Sequence, residues 1–216
     1  MNTTEVQQLY SHTARLYDWL FLQCLGWGRS MQRFFATEQY LFSGCKVLDI
    51  GCGSGAATKA LWQITQEKHI VGVTFHGLDI TPAMLELFQQ WLTKNNITNV
   101  ELAQADILSP STWPTSWHDY DLIVFSGLLE YLPKDKLSSV LKNLKHVLKP
   151  SGRIVGFISK YTTTNKLIHS VWKQAMFTDS EVQTMFADSG LKITFKQLPF
   201  PDKYLHNWCY VVEADN

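Results

Sequence analysis

The chain has 216 residues, a hydrophobic fraction of 45% and a mean hydropathy of −0.10, which predict a soluble globular protein with a substantial core. Nineteen basic and nineteen acidic residues give a formal net charge of zero, which argues against a broad nucleic-acid-binding surface. No long linker, repeat or block of like charge divides the sequence, so we expect one domain over residues 1–216.

The four cysteines, Cys24, Cys45, Cys52 and Cys209, are widely spaced and form no C-x-x-C pair. This spacing argues against a metal site or a disulfide framework, and it predicts a reducing, cytoplasmic compartment. The N-terminus lacks the charged and apolar regions of a secretory signal. The apolar stretch 16–27 is too short to span a bilayer and is typical of a buried or interfacial helix.

From residue 46 onward, short apolar runs alternate with helical patterns. We expect strands at 46–50, 71–80, 100–106, 120–127 and 153–159, and helices at 56–66, 83–94 and 135–149. Thr81 as N-cap and Pro82 as first residue form a start signal for the second of these helices. This alternation predicts a doubly wound parallel sheet with helices on both faces.

The C-terminal part breaks the alternation. A capped helix is expected at 178–190, and strands expected at 191–198 and 207–214 then follow with no helix between them. Two successive strands joined by a loop tend to pair antiparallel. We therefore expect a mostly parallel sheet that ends in an antiparallel pair.

The stretch VLDIGCGSG at 47–55 places a glycine-rich turn after the first strand, where open α/β sheets bind ligands. Glycines let the backbone approach a ligand closely, although a tight turn without a ligand is the alternative. The sequence GCGSGA also matches the loose dinucleotide fingerprint G-x-G-x-x-A. Asp49 would repel a pyrophosphate but attract the ammonium and sulfonium of S-adenosylmethionine. The carboxylate therefore favours S-adenosylmethionine.

Acidic residues also end the next two predicted strands. Asp79 is placed to accept hydrogen bonds from a ribose diol, a role common to dinucleotide and S-adenosylmethionine sites. Asp106 is placed for an adenine amine, and its alternatives are a helix N-cap or an Asx-turn. Three carboxylates at the ends of three consecutive strands predict an adenosine-containing ligand.

These motifs, in this order, resemble the class I S-adenosylmethionine-dependent methyltransferases of the small-molecule type. The matching segments are 47–55, 77–85, 103–108, 120–133 and 141–157. The resemblance implies an α/β, Rossmann-like, seven-stranded and mostly parallel sheet with a C-terminal antiparallel strand pair and an N-terminal helical cap. It also implies a division into a helical cap (1–45), a cofactor-binding core (46–160) and a substrate-side insertion with the terminal strands (161–216).

S-adenosyl-L-methionine is the cofactor that the resemblance implies. Residues assigned to its site are Tyr10, Asp49, Gly51, Gly53, Ser54, Gly55, Asp79, Ile80, Met84, Asp106, Ile107, Ser126 and Leu128. Within this set, residues 49–55 would line the methionine part, Asp79 would hold the ribose, and residues 106–107 would contact the adenine. Ser126 and Leu128 would close the site after the fourth strand.

An N-terminal Y…A…YD element is similar to quinone-biosynthesis C-methyltransferases and to bacterial phospholipid N-methyltransferases, and Gly28-Arg29 after it resembles the second group. It implies a small-molecule or lipid acceptor. From the charge balance we expect no nucleic acid partner, and a peripheral membrane contact is predicted through residues 16–27. Tyr17 and Tyr131 are the candidate catalytic residues, and packing of aromatic side chains in the core is the alternative. Many relatives carry histidine where Tyr131 stands, so a histidine base at that place is not expected.

Two other functions stay open. An NAD(P)-dependent oxidoreductase would use the same glycine turn, but Asp49 and the absence of a Tyr-x-x-x-Lys pair after the fourth strand argue against it. A non-catalytic scaffold that binds S-adenosylmethionine is the other alternative, although every binding position is filled. The helix expected at 16–27 and the segment 160–177 are predicted to form the acceptor pocket or its lid, and nitrogen, oxygen and carbon acceptors all stay open.

Overall fold

The computed structural model describes residues 26–163 and 174–215, without the side chains of Lys203, Tyr204 and His206. Its seven strands are β1 Lys46–Ile50, β2 Thr74–Asp79, β3 Val100–Gln104, β4 Tyr120–Ser126, β5 Leu148–Ser159, β6 Lys192–Lys196 and β7 Cys209–Asp215. The α-helices within the described ranges are α1 Trp27–Thr37, α2 Ala56–Glu67, α3 Pro82–Lys94, α4 Leu137–Val147 and α5 Asp179–Asp188. Short 3-10 helices lie at Pro110–Thr112, Leu129–Tyr131, Lys134–Lys136 and Asp202–Asn207.

All seven strands belong to one sheet, in the order β3-β2-β1-β4-β5-β7-β6. The neighbours from β3 to β5 pair in parallel, whereas β7 pairs antiparallel with both β5 and β6. This topology confirms the predicted fold class, including the antiparallel terminal pair. The strand order reverses between β1 and β4, and open α/β sheets carry their ligand crevice at such a point, beyond the carboxyl ends of the strands.

Helices cover both faces of the sheet. Along β4, Ile123 and Phe125 point into the core beneath α4 and α5, whereas Leu122 and Val124 point into the core beneath α1 and α2. All four side chains are fully buried. Burial on both faces explains why this strand is continuously apolar, as is usual for the central strands of parallel sheets.

Helix α1 is fixed on the sheet by packing and by one ion pair. The buried ring of Phe34 packs edge-on against Phe157 of β5, with 5.6 Å between the ring centroids. Nε and Nη2 of Arg33 donate to the two carboxylate oxygens of Asp202, at 2.5 and 2.6 Å. These contacts fix the position of Trp27, the first residue of α1, whose ring also packs against Phe157.

The boundary predicted between α4 and β5 is wrong. The helix expected at 135–149 ends at Val147, and the next strand already begins at Leu148. Leu148 pairs with Tyr120 of β4, so strand pairing prevails over the helical periodicity at this residue. Residues 150–152, which were expected to separate the two elements, lie within β5 beside a shift in its register with β4.

The two helix starts that the sequence indicates differ in their capping. Thr81 holds the N-cap position of α3 as predicted, but its side chain makes no capping hydrogen bond. At the start of α5, Thr178 and Glu181 form a reciprocal capping box, in which each side chain bonds the other residue's backbone N–H. The sequence therefore located both helices, while the capping bond forms only at the second.

Parts of the prediction lie outside the described residues. They include residues 1–25, with most of the apolar stretch 16–27, and residues 164–173 of the segment 160–177. The division into cap, core and insertion stays a prediction. Within the described part of the chain, no helix combines the length and the apolar character needed to cross a membrane.

Candidate active site

A cleft lies at the carboxyl ends of the parallel strands, where the strand order reverses between β1 and β4. The loops after β1, β2, β3 and β4 form its walls, together with Trp27 of α1. The predicted site residues that line it are Asp49, Gly51, Gly53, Ser54, Asp79, Ile80, Met84, Asp106, Ile107, Ser126, Leu128 and Tyr131. Tyr10 and Tyr17 lie outside the described residues, so their roles stay predictions.

The register of the sheet explains why three acidic residues meet in this cleft. Asp49 in β1 pairs with Gly77 in β2, so Asp79 lies two residues further along its own strand. Asp79 in turn pairs with Gln104 in β3, and Asp106 follows two residues later. Neighbouring parallel strands thus deliver one carboxylate each to the same edge of the sheet.

Asp79 is the most completely bonded of the three carboxylates. Its Oδ2 accepts the backbone N–H of Gly53 and its Oδ1 accepts that of Thr81, both at 2.8 Å. Burial raises the pKa of this carboxyl above its usual value, and the two amide donors act in the opposite direction. Asp79 also lines the cleft, where its carboxylate can contact a ligand hydroxyl.

Asp49 is buried, with 2% of its surface exposed, and is tied to the first turn of α2. Its Oδ2 accepts both the backbone N–H and the hydroxyl proton of Thr58, at 3.0 and 2.7 Å. Burial raises the pKa of Asp49 to about 6, the Thr58 bonds lower it, and the charge of nearby Asp79 raises it. The charge of Asp49 therefore changes close to neutral pH.

Asp106 forms the Asx-turn that was the alternative to a ligand contact. Its Oδ1 accepts the N–H of Leu108 at 2.9 Å, and its main-chain carbonyl accepts Nε1–H of Trp113 at 3.0 Å. The residue nevertheless lines the cleft. The turn thus fixes the position of the carboxyl group at the cleft wall, and it is compatible with a ligand on the open side.

The glycines of the turn have different tasks. Gly51 has a φ of +65°, and a Cβ at this position would lie 2.6 Å from Leu128 Cδ1, so glycine lets Leu128 close over the turn. The structure does not place Gly55 in the cleft wall. Gly55 precedes α2 with a φ of +89°, and a Cβ there would lie 2.4 Å from the ring of Phe88. Its lack of a side chain allows α3 to pack against the turn.

Several residues of the cleft wall were missed from the sequence. Most lie next to predicted site residues in the chain; they are Cys52, Ala56, Ala57, Leu78, Thr81, Ala105, Leu108, Gly127, Leu132 and Pro133. Trp27 is different, because its indole Nε1–H donates to Ser126 Oγ at 3.0 Å across 99 residues of sequence. It is the last residue of the apolar stretch 16–27, and no local motif links it to the cleft.

Tyr131 and Glu130 follow β4 at one end of the cleft, and both are buried. The Tyr131 hydroxyl accepts a hydrogen bond from Nε2 of Gln174. Glu130 Oε1 accepts the N–H of Ser159 at 2.5 Å, and the Glu130 carbonyl accepts that of Ala175 at 2.9 Å. Glu130 Oε2 has no hydrogen-bond partner among the residues that the structure describes. Burial raises the pKa of this carboxyl above its usual value.

The open α/β sheet, with its cleft at the reversal of strand order, defines a Rossmann-like protein with a ligand site at the usual place. A family model described as "Methyltransferase domain" matches residues 41–206, which is more than half of the chain. The chain belongs to this methyltransferase family.

Among curated relatives, a ubiquinone biosynthesis O-methyltransferase of Haemophilus ducreyi is 32% identical over 62% of this chain and 52% of its own length. A demethylmenaquinone methyltransferase of Tropheryma whipplei is 25% identical over 71% of this chain and 59% of its own length. The chain thus spans little more than half of these two relatives. A demethylmenaquinone methyltransferase of Lactiplantibacillus plantarum is 31% identical, and the match covers 78% of this chain and 68% of that protein.

Solved structures with the same fold include two methyltransferases. The mitomycin 7-O-methyltransferase MmcR has a TM-score of 0.73 at 18% identity, covering 97% of this chain and 60% of its own. Magnesium protoporphyrin IX methyltransferase from Synechocystis PCC 6803, with bound SAH, has a TM-score of 0.70 at 14% identity and covers 99% of both chains. At these identities the likeness shows a shared fold.

Proposed function

We propose that this protein is an S-adenosylmethionine-dependent methyltransferase that acts on a small-molecule acceptor. The charge of the cleft carries this proposal. The described residues that line it include three carboxylates, those of Asp49, Asp79 and Asp106, and no lysine, arginine or histidine. A pyrophosphate would meet Coulomb repulsion in this partly desolvated space, whereas a cation would be attracted.

The side chains of the cleft suit each part of this cofactor. Asp79 lines the cleft as an acceptor for a ribose diol, and Asp106 lies after the next strand, at the place expected for the adenine amine. Asp49 lies beside the glycine turn, where its negative charge would attract an ammonium group. When bound, S-adenosylmethionine supplies an electrophilic methyl group on a positively charged sulfur. We assign Ser54, Ile80, Met84 and Ile107 to the same site because they line the cleft, as the family resemblance implies.

An apolar part of the cleft wall favours the proposal of an uncharged, ring-containing acceptor. Beyond β4 the cleft is lined by Leu128, Tyr131, Leu132 and Pro133, with Trp27 beside them. Aromatic and aliphatic walls of this kind bind flat apolar molecules. The curated relatives named for ubiquinone and menaquinone synthesis support the same class. We therefore propose a quinol-like acceptor. The proposal extends to lipid acceptors in general, and to a membrane contact through residues 16–27.

The role of the protein in the reaction is alignment and exclusion of water. Holding the acceptor in line with the methyl group lowers the entropic part of the activation barrier. For well-oriented groups this contribution is about 7–11 kcal/mol. A base is needed only if the acceptor must lose a proton. Among the residues that the structure describes, Tyr131 is the candidate for contact with the acceptor, since it lines the cleft and Gln174 orients its hydroxyl. Tyr17 is the second candidate.

A methyl-transfer assay tests this proposal. Wild-type protein is incubated with methyl-labelled S-adenosylmethionine and demethylmenaquinol, and the label is measured in the organic extract. Labelled product, much reduced in an Asp79→Asn variant, is the expected result. Binding of S-adenosylhomocysteine without transfer to any acceptor of a quinol, phenol, amine and phospholipid panel would favour the scaffold. Binding of NAD in preference to S-adenosylhomocysteine would favour the oxidoreductase.

We further propose a reducing, cytoplasmic location. The three cysteines within the described ranges, Cys45, Cys52 and Cys209, are buried free thiols. Free thiols of this kind are typical of reducing compartments. Cell fractionation with an epitope-tagged chain tests the location, and recovery of the protein outside the cytoplasmic fraction would contradict it.

A further inference from the structure

We propose that Trp27 is a positioning residue that orients the Ser126 hydroxyl as a hydrogen-bond donor to the carboxylate of the cofactor's methionine part. The inference rests on the proposed function and extends it to a residue that the family motifs do not include. Trp27 acts through Ser126, and it does not itself contact the carboxylate.

The hydrogen bond between the two side chains determines which way the serine proton can point. Trp27 Nε1–H can only donate, and it donates to Ser126 Oγ at 3.0 Å. A hydroxyl has one proton and two lone pairs, so this contact occupies a lone pair and leaves the proton available. Within the part of the chain that the structure describes, no group accepts that proton. Accepting one hydrogen bond also polarises the hydroxyl and strengthens it as a donor.

The sheet register places Ser126 at the methionine end of the cleft. Asp49 in β1 pairs with Val124 in β4. Two residues further along each strand lie Gly51 and Ser126, and both line the cleft. The Ser126 hydroxyl is therefore beside the glycine turn, on the side away from Asp79.

Charge explains why a neutral donor is needed at this place. The methionine part of the cofactor carries a carboxylate, and Asp49, just before the glycine turn, would repel it. No cationic side chain is among the described residues of the cleft wall. An oriented hydroxyl can therefore stabilise the carboxylate without adding a charge that would weaken the attraction for the sulfonium and the ammonium.

The position of the indole is well determined. Its ring packs edge-on against Phe157, with 5.6 Å between centroids and 78° between the planes. Trp27 is the first residue of α1, which the Arg33–Asp202 ion pair and the buried Phe34 hold on the sheet. These contacts restrict rotation of the indole, so its N–H keeps pointing at Ser126.

Calorimetric titration with two ligands tests the proposal. S-adenosylhomocysteine contains the amino-acid carboxylate, and methylthioadenosine lacks the whole amino-acid part. The proteins are wild type, Trp27→Phe, Ser126→Ala and the double variant, with Trp91→Phe as a matched tryptophan replacement outside the cleft wall. Trp27→Phe keeps an aromatic ring and removes the N–H donor, and Trp91→Phe makes the same loss of volume away from the cleft.

We expect Ser126→Ala to lower the affinity for S-adenosylhomocysteine about tenfold, and Trp27→Phe to lower it about threefold or more. Each variant disturbs a hydrogen bond to a charged group. The double variant should be no weaker than Ser126→Ala, since the two residues act as one unit. Methylthioadenosine should bind all variants with the same affinity as the wild type. Trp91→Phe should bind both ligands normally.

Two results would overturn the inference while leaving the proposed function intact. One is normal binding of S-adenosylhomocysteine by Trp27→Phe. The other is an equal loss for methylthioadenosine, which would mean that Trp27 only shapes the cleft. Failure of the wild type itself to bind S-adenosylhomocysteine would overturn the proposed function, and this inference with it.

Discussion

Asp79 and Gly53 are joined by a hydrogen bond of 2.8 Å from the glycine amide to the carboxylate, across 26 residues of sequence. The bond connects the end of β2 to the turn after β1, so one acidic side chain holds together two of the loops that form the cleft. The same carboxylate accepts the N–H of Thr81 at the start of α3. The residue proposed to hold the ribose is therefore also the residue that shapes its surroundings.

Replacing Asp79 by asparagine should weaken ligand binding and destabilise the fold. The amide nitrogen cannot accept a hydrogen bond, so either Gly53 or Thr81 loses its partner, and the ligand loses a charged acceptor. We expect affinity for S-adenosylhomocysteine, measured by calorimetry, to fall by at least about tenfold. Asp188→Asn at the exposed end of α5 is the matched control and should bind normally. Unchanged affinity in Asp79→Asn would remove this residue from the ligand site.

Ligand binding should depend on the ionisation of Asp49. Its pKa of about 6 means that the carboxyl is neutral in mild acid and charged above neutrality. Since only the charged form attracts the ammonium of S-adenosylhomocysteine, affinity should fall as the pH is lowered through about 6, by at most about tenfold per pH unit. The slope should be smaller in Asp49→Asn, in which Asp79, whose pKa is also raised, still titrates. A parallel pH profile in the two proteins would contradict this role.

Thr58 should set the midpoint of that pH profile. Its hydroxyl donates to Asp49 at 2.7 Å and thereby lowers the pKa of the carboxyl. We expect Thr58→Val to move the midpoint of S-adenosylhomocysteine binding to higher pH. Thr65→Val is the control, because Thr65 is buried in the same helix but donates to the Trp62 carbonyl. A shift of the same size in both variants would point to a general effect on α2.

Gly55 should be more sensitive to alanine than Gly44, although both have a positive φ, +89° and +82°. A Cβ at Gly44 would meet nothing within 4 Å, whereas one at Gly55 would lie 2.4 Å from Phe88. We expect Gly44→Ala to cost about 1–2 kcal/mol from backbone strain, and Gly55→Ala about 1–3 kcal/mol more from overpacking. Urea unfolding measures both, and equal losses would mean that Phe88 moves aside without cost.

Glu130 should make the protein less stable as the pH rises. Burial raises its pKa above the usual 4.5, so the folded protein holds this proton more tightly than the unfolded chain. The contribution to stability is complete below the unfolded pKa and declines as the pH rises toward the folded one. Glu130→Gln cannot ionise, and we expect it to gain stability relative to wild type as the pH rises above the usual 4.5.

Urea unfolding of both proteins at several pH values measures this difference. Asp49 and Asp79, whose pKa values are also raised, titrate in both proteins, so the comparison isolates Glu130. A difference in unfolding free energy that does not change with pH would show that Glu130 ionises alike in the folded and unfolded states.

The sequence predicted what depends on local pattern. Strand β1 and helix α2 begin at the predicted residues, Lys46 and Ala56. The three acidic residues at the carboxyl ends of the strands reach the cleft because the strand register brings them there. The early start of β5 could not be predicted, because Leu148 continues the helical stripe and only pairing with Tyr120 makes it a strand residue. Trp27 was missed as a partner of Ser126 for a related reason, since tertiary packing of α1 alone brings them together.

Calorimetric titration of the wild-type protein with S-adenosylhomocysteine and with NAD tests the central claim most directly. A cleft with three carboxylates and no cation among its described residues should bind S-adenosylhomocysteine in the micromolar range and leave NAD unbound. Binding of NAD with S-adenosylhomocysteine excluded would contradict the claim, because it would mean that the carboxylates do not repel a pyrophosphate at this turn.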